Sequence, residues 1–450
     1  MEKTLRLAAL VGLLVASCGR TPNPVEQTSD NTQDRLQYVL PEYKVFLEDR
    51  LAATLPSERP PRPLSLRKHG AKKTVVVDDD TVECPEADFF KIQDAIDSGA
   101  HTIKVCAGTY AEHLVIGLPD AKVKLKGAGM GVTVIQPESP PRQGPIIDVL
   151  PGSDVEISNL TVDGVSSLVR RTTLPLDAGI RYLGAGGKVK KVELVNLRNA
   201  SGSFLADAIW VEAWSHLDGK VKVTIEKCNI SNSGTGIYAI GDGAEITVKR
   251  NTFLGLVSPG ALLFTSFVVI DYGAKGVVKK NTIGQNSSII GVAIRRGQGS
   301  KVLNNRISVR PGGGVFIASD HSGAIVRGND IETGSVGSFG SVGIGLGSHT
   351  GPNTVNNVVK NNRIRGALIG IVVEGNARDN LVRQNDMRDS KNQGIFVFKG
   401  AAGNEFIRNK VRNSGLADLH DRTTGTGTAG TANIWKNNDC TTSFPAGLCR

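Results

Sequence analysis

The chain has 450 residues, more than one globular core usually encloses; a solenoid escapes that limit because each repeat contacts only its neighbours. Lys and Arg outnumber Asp and Glu by 53 to 43, a formal charge of +10, which suits an acidic polysaccharide or an anionic lipid surface. Aromatics are only 5%, too few for base-stacking platforms, and no nucleic-acid-binding module is visible, so the composition argues against nucleic acid as a partner.

The first element is a targeting segment, residues 1–17. Lys3 and Arg6 make a basic start, and Leu7 to Ala16 form an apolar run too short to span a bilayer. The run closes on Val15-Ala16-Ser17-Cys18, which resembles a bacterial lipobox and implies lipidation of Cys18 after cleavage. An ordinary secretory signal is the alternative. Removing residues 1–17 takes two cations and one anion and leaves +9. Residues 18–73 read as a tether. A polar stretch runs to about residue 35, residues 36–55 carry helically spaced apolar positions, and residues 56–73 form a linker rich in Pro, Arg and Lys.

The repeats begin at residue 74 with TVVVDDD. Glu86 to Ser98 (EADFFKIQDAIDS) reads as an amphipathic helix, with Phe89, Phe90, Ile92, Ala95 and Ile96 on its apolar face. Such a helix would cap the open end of a solenoid, where apolar rungs and strand edges need cover. Strands follow in TIKVCAGTYAEHLVI and AKVKLKGAGMGVTVIQP.

Beyond these, an asparagine returns at near-constant spacing: Asn159, Asn196, Asn251, Asn281, Asn305, Asn329, Asn362, Asn385, Asn409 and Asn437. The gaps after Asn251 are 30, 24, 24, 33, 23, 24 and 28. Periods of this length mark stacked repeats. Cys228 takes the position in TIEKCNI, which predicts a buried thiol on the ladder. Residues before each Asn alternate apolar and polar, as in EITVKR, the period of a strand. Asn tolerates left-handed backbone and can turn the chain between two strands, and stacked copies would bond amide to amide. A third element opens Gly-apolar-x-apolar: GIRYL, GIYAI, GVAIR, GVFIA, GIGLG, GIVVE, GIFVF. Three short strands per turn predict an all-β, single-stranded right-handed parallel β-helix with an N-terminal capping helix, spanning residues 74–450. A dozen rungs would make a rod of roughly 55–60 Å. A sandwich or propeller would explain the alternation but not the recurring Asn.

The cysteines fit an exported protein. Cys84 and Cys106 flank the first helix, and Cys440 and Cys449 close a short C-terminal loop. Two disulfides there would staple the rungs most prone to fray; four free buried thiols are the alternative.

The run FFKIQDAIDSG, TIKVCAGTYAEHLVI, VKLKGAG and TVIQP resembles the opening of the pectin-lyase-like superfamily, pectinesterases included. The Asn rungs are similar to the β-helix repeats of polysaccharide lyases, epimerases and periplasmic copper-accessory proteins. The tail TGTAGTANIWKNNDCTTSFPAGLC resembles the closing rung of exported β-helix proteins. The resemblance covers residues 74–450 and implies the fold and a glycan ligand. The activity motifs are missing. Pectinesterase GxxQAVAL and GxxDFIFG segments are absent. Gly347-Ser348-His349 is a faint echo of a hydrolase Gly-His-Gly, and VIDY at Val269 to Tyr272 lacks the His of a lyase WIDH.

Counting back from each Asn sets polar residues at comparable positions on neighbouring rungs: Asp271, Arg295 and Arg296, Asp320 and His321, His349, then Glu374. Arg295, Asp320, His321 and His349 are the candidates for proton abstraction beside a uronate carboxylate, which Arg would neutralise. Arg296 and Glu374 would contact the glycan. Trp210, Tyr238, Phe316 and Phe396 would project outward by parity and offer rings to sugars. Asp271, Asp320 and Glu374 could instead hold Ca²⁺, a cation that wants oxygen ligands. Insertions at 254–266, 332–341 and SHTGPNTVNN would wall this groove. The sequence thus suggests a lipid-anchored envelope protein that binds an acidic polysaccharide, with cleavage or epimerisation as the activity to test for. A non-catalytic rod of the cell envelope, with these polar residues as plain turn formers, is the alternative.

Overall fold

The computed structural model describes residues 73–117, 122–138, 144–164, 178–197, 206–255, 266–284, 289–310, 312–334, 341–347 and 353–450. The expected signal segment, the expected lipidation site Cys18 and nearly all of the expected tether lie outside these residues. Strands of successive turns pair in parallel and gather into one 24-stranded and one 13-stranded sheet. A representative turn runs Thr235–Ile240 on the 13-stranded sheet, then Ala244–Lys249 and Thr252–Leu254 on the 24-stranded sheet. The next turn repeats this one storey on, with Ser266–Asp271, Lys275–Lys279 and Thr282–Ile283. This is the expected β-helix. Inward side chains such as Ile237, Val268, Val292, Val315 and Ile344 are fully buried and form one continuous core.

The corner between the second and third strands has a two-residue grammar. The first residue is left-handed: Lys227, Arg250, Lys280, Asn304, Asn361, Gln384, Arg408 and Asn437 all have φ between 53° and 57°. The second is the buried ladder residue. Asn305 shows the pattern. Its Oδ1 accepts the Asn281 backbone N–H at 3.0 Å and the Asn281 amide at 2.9 Å. Its Nδ2 donates to the Val278 carbonyl at 3.0 Å and to Asn329 Oδ1 at 2.9 Å. The file runs from Asn251 through Asn409 to Asn438, and Cys228 heads it with its N–H on Asn251 Oδ1. Turning and laddering are therefore divided between two residues, which corrects three assignments. Asn159 and Asn437 are the left-handed partner, and Asn196, also left-handed, sits at another corner.

A second buried ladder, not read from the sequence, lies at the corner leaving the 13-stranded sheet. It consists of Asn357, Asn380, Asn404 and Asn433, bonded in the same way, with the Ala324 N–H on Asn357 Oδ1. The Gly-apolar-x-apolar signal also has a steric cause. A Cβ on Gly314 would fall on the Gly343 carbonyl oxygen of the next rung, and one on Gly343 would meet the Gly370 carbonyl.

The N-terminal cap is shorter than expected. The helix spans Ile92–Asp97, with Ile92, Ala95 and Ile96 buried. Its first N–H groups, those of Ile92 and Gln93, are each accepted by the Glu112 carboxylate at 2.9 Å. Phe89 bridges to Val77 instead of joining the helix, and Phe90 faces outward, 64% exposed. Cys84 is bonded to Cys106 and Cys440 to Cys449, with Cα separations of 6.5 and 5.3 Å.

Candidate functional site: the outer face of the thirteen-stranded sheet

Strand register sets one outward side chain per rung in a single file. From the N-terminal end it reads Asp148, Arg181, Trp210, Tyr238, Val269 and Ala293, and continues through Phe316, Gly345, Val372, Phe396, His420 and Phe444. The file changes character along the rod.

At its start Arg181 grips Asp148 through both carboxylate oxygens, at 2.9 and 2.7 Å. Trp210 and Tyr238 follow, edge to face at 4.8 Å. Parity did place them outward, yet each is only 3% exposed, in a cluster with Ala178, Ile240, Val269 and Tyr272. Trp210 and Trp214 both donate their indole N–H to Glu212. These rings serve packing, which corrects the expectation that Trp210 and Tyr238 stack on sugars.

The middle of the face holds the expected charged group. Arg296 clasps Asp271 bidentately, with Nε at 2.8 Å and Nη2 at 2.6 Å, and Arg295 adds Nε at 3.3 Å. The Arg296 guanidinium lies over the Tyr272 ring, 3.7 Å from its centroid. Asp271 is fully buried. Burial would raise its carboxyl, but Arg296 and Arg295 outweigh this and hold it below the ordinary carboxylate value. Both oxygens are thus committed to guanidinium groups. Among the described residues the acidic oxygens that gather within 4.8 Å of one another belong to Asp78, Asp79 and Asp80. Asp271, Asp320 and Glu374, expected to share Ca²⁺, form no such group.

His321 is the clearest correction. It sits at an inward position, in register with Thr354 and Gly297, and is fully buried with neither ring nitrogen bonded. Burial pushes its imidazole down to about 4. A base sealed inside the solenoid cannot reach a glycan. Glu374, expected to touch substrate, is 1% exposed. Asp320 is exposed at the corner, next after left-handed Ser319, and partial desolvation raises its carboxyl. Arg295 stands one rung before Ala318. His349 lies outside the described residues, as do 256–265, 335–340 and 348–352, the bulk of the expected groove walls.

Toward the C-terminal end the face opens. Phe396 is 7% exposed, His420 is half-buried and Phe444 is 53% exposed. Ring centroids are 5.1 Å apart from Phe396 to His420 and 5.9 Å from His420 to Phe444. Phe398 packs on Phe396 at 4.5 Å. Arg422 is exposed two residues beyond His420, its N–H on the Val397 carbonyl. Burial first and Arg422 second lower the His420 imidazole, so it is neutral near pH 7. Half-buried Phe316 packs against the edge of the same apolar cluster, with its ring beside Gly345 of the next rung. His420, Arg422 and Phe444 escaped the sequence reading because Asp418 replaces the rung-opening Gly in ADLHD. Counting one rung past GIFVF reaches His420 and Arg422, and a second rung reaches Phe444.

No curated protein matches the sequence. Solved structures of similar shape include the catalytic domain of a GH87 alpha-1,3-glucanase variant in complex with tetrasaccharides (TM-score 0.53, 15% identity, 78% of this chain and 66% of that one). They also include the periplasmic alginate epimerase AlgG (TM-score 0.48, 12% identity, 75% and 76%). A third is the A-module of the Azotobacter vinelandii mannuronan C-5 epimerase AlgE4 (TM-score 0.45, 17% identity, 77% and 94%). The present chain thus spans about two thirds of the glucanase domain, and at these identities the likeness is one of fold. The family described as right handed beta helix region matches residues 146–357 and 264–411. These overlapping stretches cover more than half of the chain, and the protein belongs to the right-handed β-helix family.

Proposed function

We propose that this chain is an exported, lipid-anchored protein of the bacterial cell envelope that binds an acidic polysaccharide on the outer face of its thirteen-stranded sheet, near the C-terminal end. The observation that carries the reading is the aromatic step of half-buried His420 and exposed Phe444, ring centroids 5.9 Å apart, with exposed Arg422 beside it and buried Phe396 packed beneath. Rings one rung apart can take the apolar faces of successive sugars, and a guanidinium is the natural partner of a uronate carboxylate. The basic composition and the lipobox-like Cys18 support the acidic ligand and the envelope location. The glucanase domain of similar fold was solved with tetrasaccharides bound.

Processing of lyase or epimerase type is the secondary reading. With His321 sealed in the core, Asp320 and Arg295 are the described residues left to such chemistry, and the raised Asp320 carboxyl favours a base role. Binding without turnover fits the closed Asp271 ion pair better.

The test is titration calorimetry of a uronate hexamer and a neutral glucan hexamer against the wild type, Phe444→Ala and Arg422→Ala. The uronate should bind preferentially. Each variant should lose about tenfold, the worth of one lost stacking or charge-assisted contact. Equal binding of both glycans, or no loss in either variant, overturns the reading. Ultraviolet absorbance of unsaturated sugar products over the same panel decides the lyase reading.

A further inference from the structure

The corner between the second and third strands carries a line of cations along the rod. Strand register stacks Lys249, Lys279, Leu303, Arg327, Lys360, Arg383, Ile407 and Lys436 as outward residues of eight consecutive turns. Seven steps of about 4.8 Å make the line roughly 34 Å long. Immediately beside it run the left-handed residues that open each ladder corner. Asn fits that conformation best, and Asn304, Asn361 and Asn437 occupy it. Arg250, Lys280 and Arg408 take the same conformation in other turns. Three long cationic side chains where Asn or Gly would turn the chain more readily indicate a use for the charge.

The cations beyond the first rung are not spent on neighbours. Lys249 is paired with Glu226 at 2.9 Å, and Glu226 also holds Lys188. Among the described residues, none of Lys279, Arg327, Lys360, Arg383 and Lys436 has an ion-pair partner, and neither do Arg250, Lys280 and Arg408. Arg383 buries its Nε with no acceptor, an unsatisfied charged donor of the kind that a bound anion relieves.

The flanks narrow this charge to a line. The third-strand face beside it alternates in sign, with Asp330 bonded to Arg365 and Asp386 to Arg388. On the other side the outward file of Val277, Lys301, Ile325, Val358 and Leu381 is mostly apolar. A flat anionic bilayer would have to meet the mixed-sign face as well. A linear polyanion meets only the corner, and its one charge per sugar repeat is comparable to the rung spacing.

We infer that this corner is a lengthwise docking line for an acidic polysaccharide. It lies away from the aromatic face of the thirteen-stranded sheet, on strands of the other sheet, and is a second contact surface for the ligand class. The inference rests on the reading of this protein as an acidic-glycan binder. Short oligomers would bind first at the aromatic face, where ring contacts add to charge, and long chains would also lie along the corner, with affinity that falls as salt rises.

The experiment uses the full chain with the quadruple variants Lys279→Gln/Lys280→Gln/Arg327→Gln/Lys360→Gln and the corresponding four Glu substitutions, each checked by far-ultraviolet circular dichroism. The probes are a high-molecular-weight polyuronate, a uronate hexamer and vesicles of anionic phospholipid. The Gln variant should lose about tenfold for the polymer, and the Glu variant more, with a shallower salt dependence, while hexamer binding stays at the wild-type level. Polymer affinity unchanged in both variants overturns the docking line, even where the hexamer still binds and the glycan reading stands. Wild-type binding to vesicles that matches the polymer and is lost in the Gln variant also overturns it, in favour of a membrane-facing edge. If the wild type binds neither polymer nor hexamer, both the reading and the docking line fall.

Discussion

Asn305→Ala tests the internal amide file most directly. The wild-type side chain makes four hydrogen bonds while 2% exposed. Truncation leaves two buried donors without partners, the Asn281 backbone N–H and one hydrogen of the Asn281 amide, and takes one donor from the Val278 carbonyl. Asn329 Oδ1 keeps the Asn305 backbone N–H at 2.9 Å and is spared. Each orphan costs about 1–3 kcal/mol, so the sum is roughly 2–5 kcal/mol. The reference is Asn437→Gly, at an exposed corner with φ 55° where glycine is at ease; its cost should stay below about 0.5 kcal/mol. Urea denaturation followed by far-ultraviolet circular dichroism measures both. Native-state hydrogen exchange adds a local readout, because the Asn281 amide should lose protection in Asn305→Ala and keep it in Asn437→Gly. If Asn305→Ala costs no more than Asn437→Gly, or the Asn281 amide exchanges as in the wild type, the buried ladder is not what holds the corner.

Three further outcomes follow from the geometry. Burial pushes the Cys228 thiol up to about 12, so it should resist alkylation at pH 8 in the native protein and react at once in denaturant; mass spectrometry after a brief iodoacetamide pulse reads this. The unfolded chain protonates His321 near the ordinary 6.5 while burial holds the folded imidazole at about 4. Stability from this group is therefore complete above the unfolded value and is lost as the pH falls from 6.5 towards 4, by on the order of 3 kcal/mol. His321→Leu should flatten that stretch of the stability profile, and an unchanged slope would contradict the burial argument. Cys440→Ser/Cys449→Ser opens a bridge between residues nine apart in sequence and should cost about 2–3 kcal/mol, with exchange protection lost first in the closing rung.

The fold was legible because its cause is local and repeated. A buried amide at one corner of each turn from Asn251 to Asn438 leaves Asn in the sequence at the rung period, and close rung-to-rung approach leaves a Gly near the head of most strands of the thirteen-stranded sheet. Where the local signal divides, the reading slipped. Asn159, Asn196 and Asn437 are chemically identical to the ladder residues, and only the backbone angle distinguishes a turning Asn from a bonding one. The second ladder was missed because its four members follow no recurring motif upstream; its first member, Asn357, lies inside an apparent insertion.

Side-chain fate was less legible. Parity correctly sent Trp210 and Tyr238 outward, but parity cannot say whether an outward ring is covered, and counting back from each Asn could not show that His321 turns in. Solvent access depends on what packs from other turns, at separations that no short motif records. Sequence by itself determined the coil and its period, because these follow from nearest-neighbour backbone chemistry repeated along the chain. Tertiary structure alone decided that Asp271 is spent on Arg296, that Phe444 is open, and that scattered lysines and arginines of eight turns fall into one line. Those facts exist only when residues some 23 to 33 positions apart are brought into register.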